Sequence, residues 1–408
     1  RIEAVMMTET TRPADAPVRP PADMAGTDLL LHIGQSKTGT SAIQACLTLN
    51  RGHLQGMGIL YPPVSIGGLS VDLGNHNALA DAVTGWISFP FLTAEQHFQS
   101  VWEQARGAHY RKIILSAEHF FGGKPRIWEV ENEAAYFRAY RDKVRRLSGF
   151  LDTLDVTILV YLRPQADWLS SAVNQTVKIQ GLIGDRQLYR DDNQFYDMMR
   201  PLLRYGTILD IWQEAFPNSR IVAVPYVRDQ LYGGSSIADF LQRIGIDDSQ
   251  LKFGASNLEV NSSLSLEYLE VKKRLNLKPK SKVRERAVIR CLERLSKGSA
   301  FGSRYPLPQH ILDAIERDAE AENAIVNARY VEPGKSLVAL SSSRAREGVS
   351  PEQADSAMKA FEAEFSRLRY RVMEADMAAR AMLRRHARPV HSALHQLKRA
   401  YWHVKYKR

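Results

Sequence analysis

The chain has 408 residues, enough for two or three domains at roughly 100–200 residues each. Hydrophobic residues make up 44% and charged residues 25%. These are ordinary globular values, and they exclude collagen-like, mucin-like and wholly disordered chains. The net charge of +10 is concentrated: residues 384–408 carry +8 and residues 272–297 carry +9, which leaves −7 for the rest. Basic segments of this kind suit an anionic ligand, a polyanion or an anionic membrane surface, and the plain alternative is a pair of solvated helices.

No run approaches the ~18 apolar residues of a membrane span. The opening residues lack the charged-then-apolar layout of a signal peptide. Cys46 and Cys291 are the two cysteines. They imply no disulfide framework, so the cytoplasm is the expected compartment. The chain opens on Arg1, with Met6 and Met7 as the first methionines.

Residues 1–27, rich in Pro, Ala and Thr, read as a disordered tail. Leu29 to Ile33 is a short apolar run stopped by Gly34, the pattern of a buried parallel strand. A helical pattern follows from Ser41 through Ile43, Leu47 and Leu54. Further strands are expected at Lys112–Ser116, Val156–Leu162 and Arg220–Val224, with helices at Trp168–Ile179 and Ile237–Ile244. Alternation of this kind predicts an α/β fold: a P-loop-type parallel sheet flanked by helices. Strand signals stop after about Asn257, and residues 262–330 and 351–386 read as helical. The expected domains are an α/β domain over 28–340 and a helical extension over 341–408 with a basic tail.

The most informative segment is Gly34-Gln35-Ser36-Lys37-Thr38-Gly39-Thr40-Ser41, between a strand and a helix. That context is what a phosphate cradle requires, because helix N-terminal amides point at the anion. A nucleotide-triphosphate loop would place Lys directly after the second Gly, where Thr40 stands; here the Lys is Lys37. Thr38 to Ser41 would wrap one phosphate with N–H groups and hydroxyls, and Lys37 would reach a group beyond it. A plain Gly/Ser/Thr turn capping a helix is the competing explanation.

A second cluster follows the third strand. Arg163 leaves the strand end, and Ser171 lies eight residues on, in a helix. A guanidinium fork and a hydroxyl so placed can share a phosphate. With both clusters in order, the chain resembles sulfotransferases that use 3′-phosphoadenosine 5′-phosphosulfate (PAPS), especially the bacterial and Golgi carbohydrate-type branch. In that family a Lys-[Ser/Thr]-Gly-Thr-[Thr/Ser] loop holds the 5′-phosphosulfate, and Lys37 to Ser41 match it. The family's Arg and Ser that grip the 3′-phosphate are matched by Arg163 and Ser171. Gly233 to Leu241 is similar to a later helix start of the family, and Asn257 to Asn276 to a block of its bacterial members. The resemblance covers about residues 28–340. Two features depart from the cytosolic branch: Ala42 stands where that branch has Trp, and its late basic Gly-rich motif is absent.

The resemblance implies PAPS as co-substrate, Ser36 to Ser41 with Arg163 and Ser171 as its binding residues, and a hydroxyl acceptor on a saccharide. Sulfuryl transfer needs a cation at the leaving oxygen and a base at the acceptor hydroxyl. Lys37 fits the first role. Glu118, after the strand Lys112–Ser116, is the favoured base, with His119 second; the alternative is a helix-capping Glu118 and a packed His119. His76, beside Asn77, is a weaker candidate on a loop. No metal-ligand spacing is visible, and Asp247-Asp248 reads as a turn.

A P-loop kinase-like phosphotransferase and a catalytically silent sulfotransferase-like binder of a polyanion or membrane are the alternatives. Nucleic acid is not an expected partner, since no reader module is visible. In the tail, Leu394, Leu397, Tyr401 and Val404 share one helical face among basic residues. That pattern suggests peripheral contact with the inner face of an anionic membrane, against a packed or frayed helix.

Overall fold

The computed structural model describes residues 18–378 apart from 67–68, 72, 88–91, 108–109, 183–187, 252–262, 278–280, 341–347, 368–370, 372–373 and 376. Its strands are β1 (Asp28–Gly34), β2 (Ile59–Leu60), β3 (Val64–Ile66), β4 (Leu69–Val71), β5 (Lys112–Ser116), β6 (Asp155–Leu162) and β7 (Arg220–Pro225). The first helices are α1 (Thr40–Leu49), α2 (Arg51–Gly56), α3 (Asn77–Ala82), α4 (Ala94–Ala105), α5 (His119–Gly122), α6 (Glu133–Gly149) and α7 (Gln165–Ile179). The later ones are α8 (Asp192–Met199), α9 (Tyr205–Ala215), α10 (Ser236–Arg243), α11 (Leu266–Asn276), α12 (Lys282–Lys297), α13 (Gln309–Arg329) and α14 (Pro351–Phe365).

The chain forms two compact units, the first from residues 1–169, 196–260 and 308–343. It holds a five-stranded sheet in the order β2-β5-β1-β6-β7, every pair parallel, and a small antiparallel hairpin of β3 and β4. β1 is central and buried on both faces: Leu29, Leu31 and Ile33 are fully buried, and Leu30 is nearly so. A strand covered on both sides reads as a continuous apolar run, which is why it was legible. One side of the core joins Leu30 and Tyr161 to Ile43, Leu47, Phe240 and Leu241 from α1 and α10.

The chain leaves β1 for the sheet edge at β2, returns to β5 beside β1, and then crosses to β6 on the other side. β1 is therefore where the strand order reverses, and ligands of open α/β sheets bind beyond the strand carboxyl ends at such a point.

The second unit comprises residues 170–195, 261–307 and 344–408. α11, α12 and α14 pack together there around Leu269, Val271, Val288, Leu292 and Phe361. Two buried lysines anchor α12. Lys272 meets Glu285 at 2.5 Å, and Lys178 meets Glu293 at 3.0 Å. The boundary expected at 340 is therefore drawn differently: α14 joins α11 and α12, while α13 belongs with the sheet.

The expected tail also changes. Within residues 18–27, Met24 is buried, Arg19 pairs with Asp152, and Gly26 donates to the Thr153 carbonyl. The tail over 384–408 and residues 257–262 of the Asn257–Asn276 block lie outside the described residues. Among the described residues no helix is long and apolar enough to cross a membrane.

Candidate functional site

The loop from Gly34 to Gly39 leaves the carboxyl end of β1 and opens α1. Three of its residues have left-handed backbone: Gly34 at φ +114°, Lys37 at φ +70° and Gly39 at φ +81°. Glycine takes these values freely, but a lysine does so at a cost on the order of 1–3 kcal/mol, strain that clusters at ligand sites. At Gly34 a Cβ would lie 3.1 Å from the Glu118 Cα, so the backbone after β5 would have to give by a few tenths of an ångström to admit a side chain. At Gly39 a Cβ would fall 2.3 Å from the Ser236 hydroxyl, at the start of α10.

Internal hydrogen bonds fix the loop. The hydroxyls of Thr38 and Thr40 donate to the Gln35 carbonyl at 2.6 and 2.9 Å. Both side chains are buried. They brace the loop, so the expectation that their hydroxyls face a phosphate is revised. What the loop offers an anion is backbone N–H groups of the first turn, which have no intrahelical partner, together with the half-buried Ser36, Lys37 and Ser41.

Two residues that the sequence did not single out complete the bracing. Trp168, in the first turn of α7, donates its indole N–H to the Ser36 carbonyl at 3.1 Å. Tyr205, on α9, bonds both the Gln35 amide and, at 3.0 Å, the Arg163 carbonyl. No sequence signal pointed to either, because both lie far from the loop along the chain.

Arg163 leaves β6 beside the loop. Its backbone N–H donates to the Gln35 side-chain oxygen at 3.4 Å, and its guanidinium donates to the Lys37 carbonyl at 3.4 Å. The structure thus brings Lys37 and Arg163 together. Ser171 is half-buried on α7 and belongs to the second unit.

The turn after β5 supplies the acid–base groups. Burial raises the Glu118 pKa above its ordinary value, and the charges of His119 and Lys37 pull it partly back. Lys37 is therefore close enough for its charge to bear on this carboxyl. His119, the first residue of α5, turns its Nδ1 to both oxygens of Asp81, at 3.1 and 3.0 Å. Its backbone N–H donates to the Asn77 side chain at 3.3 Å.

Asp81 is buried, which opposes its charge. The hydrogen bond and charge of His119, the Lys124 N–H and the Lys143 ammonium outweigh this and hold its pKa below the ordinary value. Lys143 itself is buried and donates to the carbonyls of His119 and Phe120 at 2.6 and 2.9 Å. Desolvation lowers its pKa to about 7. The sequence carries no sign of this pair, since an Asp 38 residues before a His leaves no local signal.

His76 has a structural part instead. Its Nε2 bonds the Pro62 carbonyl at 2.9 Å, and its Nδ1 accepts from the Ser116 N–H at 3.1 Å. Burial lowers its pKa to about 4. Both ring nitrogens are spent on backbone, so His76 stitches the loop before α3 to β5. Asp247 caps its own turn by accepting from Ser249. Among the described residues no group of three or more His, Cys, Asp or Glu is placed to hold a metal ion.

No protein-family model matches the chain. The chain is similar, at 28% identity over 157 residues, to a protein of Archaeoglobus fulgidus described only as uncharacterized. The match covers 38% of this chain and 40% of that protein, so the chain spans well under half of the relative's length.

Proposed function

We propose that the protein is a sulfotransferase that moves a sulfuryl group from PAPS to a hydroxyl, on a carbohydrate or glycoconjugate. One observation carries the reading: the carboxyl ends of β5, β1 and β6, side by side, present Glu118, the Lys37 loop and Arg163 to one place. Lys37, three residues before Thr40, suits a single 5′-phosphate bearing a transferable group better than a triphosphate.

In the proposed reaction the acceptor oxygen attacks sulfur in line with the phosphosulfate oxygen. The new O–S bond forms as the old S–O bond breaks, and the electron pair stays on the phosphate. Lys37 balances that growing charge, an interaction strongest in the transition state. The backbone amides of the loop and of the α1 first turn orient the phosphate. Glu118 takes the acceptor proton. Its raised pKa supports that role, because a base works best with a pKa nearer the working pH. Arg163 is assigned to the 3′-phosphate.

The His119–Asp81 pair favours a second reading of the base. A buried carboxylate that fixes Nδ1 leaves Nε2 for proton transfer. A cytoplasmic enzyme peripheral to an anionic membrane is the setting that suits a basic tail.

The test combines calorimetric binding of adenosine 3′,5′-bisphosphate in EDTA with mass spectrometry of glycan extracts incubated with enzyme and PAPS. Metal-independent binding and gain of one sulfuryl group are expected. Binding of ATP with Mg²⁺ instead would move the protein to the kinase-like alternative, and tight polyanion binding with neither would leave the silent binder.

A further inference from the structure

The second unit carries a charged face that the proposed reaction does not use. On α12, Lys282, Arg286, Arg290 and Arg294 follow one another four residues apart, and Lys297 comes three later. All five are exposed, whereas Ala287, Val288, Ile289, Cys291 and Leu292 are buried. Residues four apart share a helical face and rise about 6 Å along the axis, so the cations form a line.

The helix's own acids pair inward. Glu285 turns inward to Lys272 at 2.5 Å, and Glu293 to Lys178 at 3.0 Å. From the neighbouring α14, Glu364 meets Arg294 at 2.7 Å, next to last in the stripe. The basic segment seen in the sequence is thereby sorted: its acids go inside and most of its cations outside.

We propose that this face of α12 binds an acidic polysaccharide, lying along the helix with its carboxylates or sulfates on successive Arg and Lys side chains. A line of cations complements a linear polyanion. Arginines dominate it, and a guanidinium engages carboxylate or sulfate through two parallel hydrogen bonds. α12 shows no exposed aromatic side chain to stack a nucleobase and no exposed large apolar side chain to enter a bilayer. The choice of a glycan rests on the sulfotransferase reading; the anion-binding face does not.

The probe is a size-defined oligogalacturonate, titrated into the full chain at low and physiological salt. Phosphatidylserine vesicles and a single-stranded oligonucleotide run in parallel. Arg286→Glu with Arg290→Glu should weaken oligouronate binding about tenfold or more, with a shallower salt dependence. Arg138→Glu with Arg145→Glu changes net charge equally at exposed positions of α6, and should cost less than about twofold. Arg286→Gln with Arg290→Gln provides the same reading should charge reversal disturb folding.

Equal losses in the α6 and α12 variants, no binding by the native chain, or tighter binding of vesicles or oligonucleotide would each overturn the proposal. Adenosine 3′,5′-bisphosphate affinity, measured on the same samples, reports separately on the sulfotransferase reading.

Discussion

Lys37 combines a left-handed backbone, a charge felt by Glu118 and a carbonyl held by Arg163. If its ammonium meets the leaving oxygen, Lys37→Ala should reduce turnover far more than adenosine 3′,5′-bisphosphate affinity. Steady-state kinetics set against calorimetry check this, and equal losses would make Lys37 a ground-state phosphate ligand. Glu118→Gln should lower turnover by roughly 10²–10⁴-fold with nucleotide affinity kept. If the proposed reaction holds, the acid limb of the native protein's rate profile should lie above the ordinary glutamate value of 4.5, because burial raises the Glu118 pKa. If that limb persists in Glu118→Gln and disappears in Asp81→Asn, proton transfer belongs to the His119–Asp81 pair. At this scale the residue types and spacing of Lys37, Glu118, His119 and Arg163 are legible along the chain. Asp81, Trp168 and Tyr205 were invisible to it, since their roles depend on partners distant along the chain.

Among the elements, the β1–loop–α1 unit was readable because a buried central strand, a glycine-bounded loop and an amphipathic helix each leave a local pattern. β2 was not: two residues cannot show a period. Gly34→Ala should lose both stability, by about 1–3 kcal/mol, and nucleotide binding. The cause is double, a φ of +114° and the Glu118 backbone 3.1 Å from the added carbon. Denaturant titration and calorimetry on that variant check it, and a stable variant with full binding would count against this geometry. In the helical unit, Lys272→Met strands the buried Glu285 and should cost about 3–5 kcal/mol. Adding Glu285→Leu should recover most of that, measured by denaturant midpoints.

For the whole molecule, stability should follow the buried bases. Burial lowers the pKa of His32 to about 3, and of His76 and His97 to about 4. Between the ordinary value of 6.5 and about 4, the unfolded chain therefore binds protons that the native chain does not. Stability must fall as pH drops through that window and rise as pH climbs back. Lys143 extends the trend: with a native pKa of about 7 against an ordinary 10.5, it makes stability grow with pH between those values. Denaturant midpoints measured across these pH ranges should show both slopes, and Lys143→Met should flatten the upper one.

The sequence by itself determined the class of the fold, because buried parallel strands and amphipathic helices write their burial into local periodicity. It also determined which candidate residues stand at the strand ends, because the Gly34–Ser41 loop is one continuous stretch. Only the tertiary structure decided the order β2-β5-β1-β6-β7, which sets Glu118, Lys37 and Arg163 at adjacent strand ends. It alone spent His76 on backbone, gave His119 its carboxylate, and turned the acids of α12 inward so that its cations face out. The physical reason is common to all of these: burial and charge pairing are settled by neighbours in space, and the chain records only neighbours in sequence.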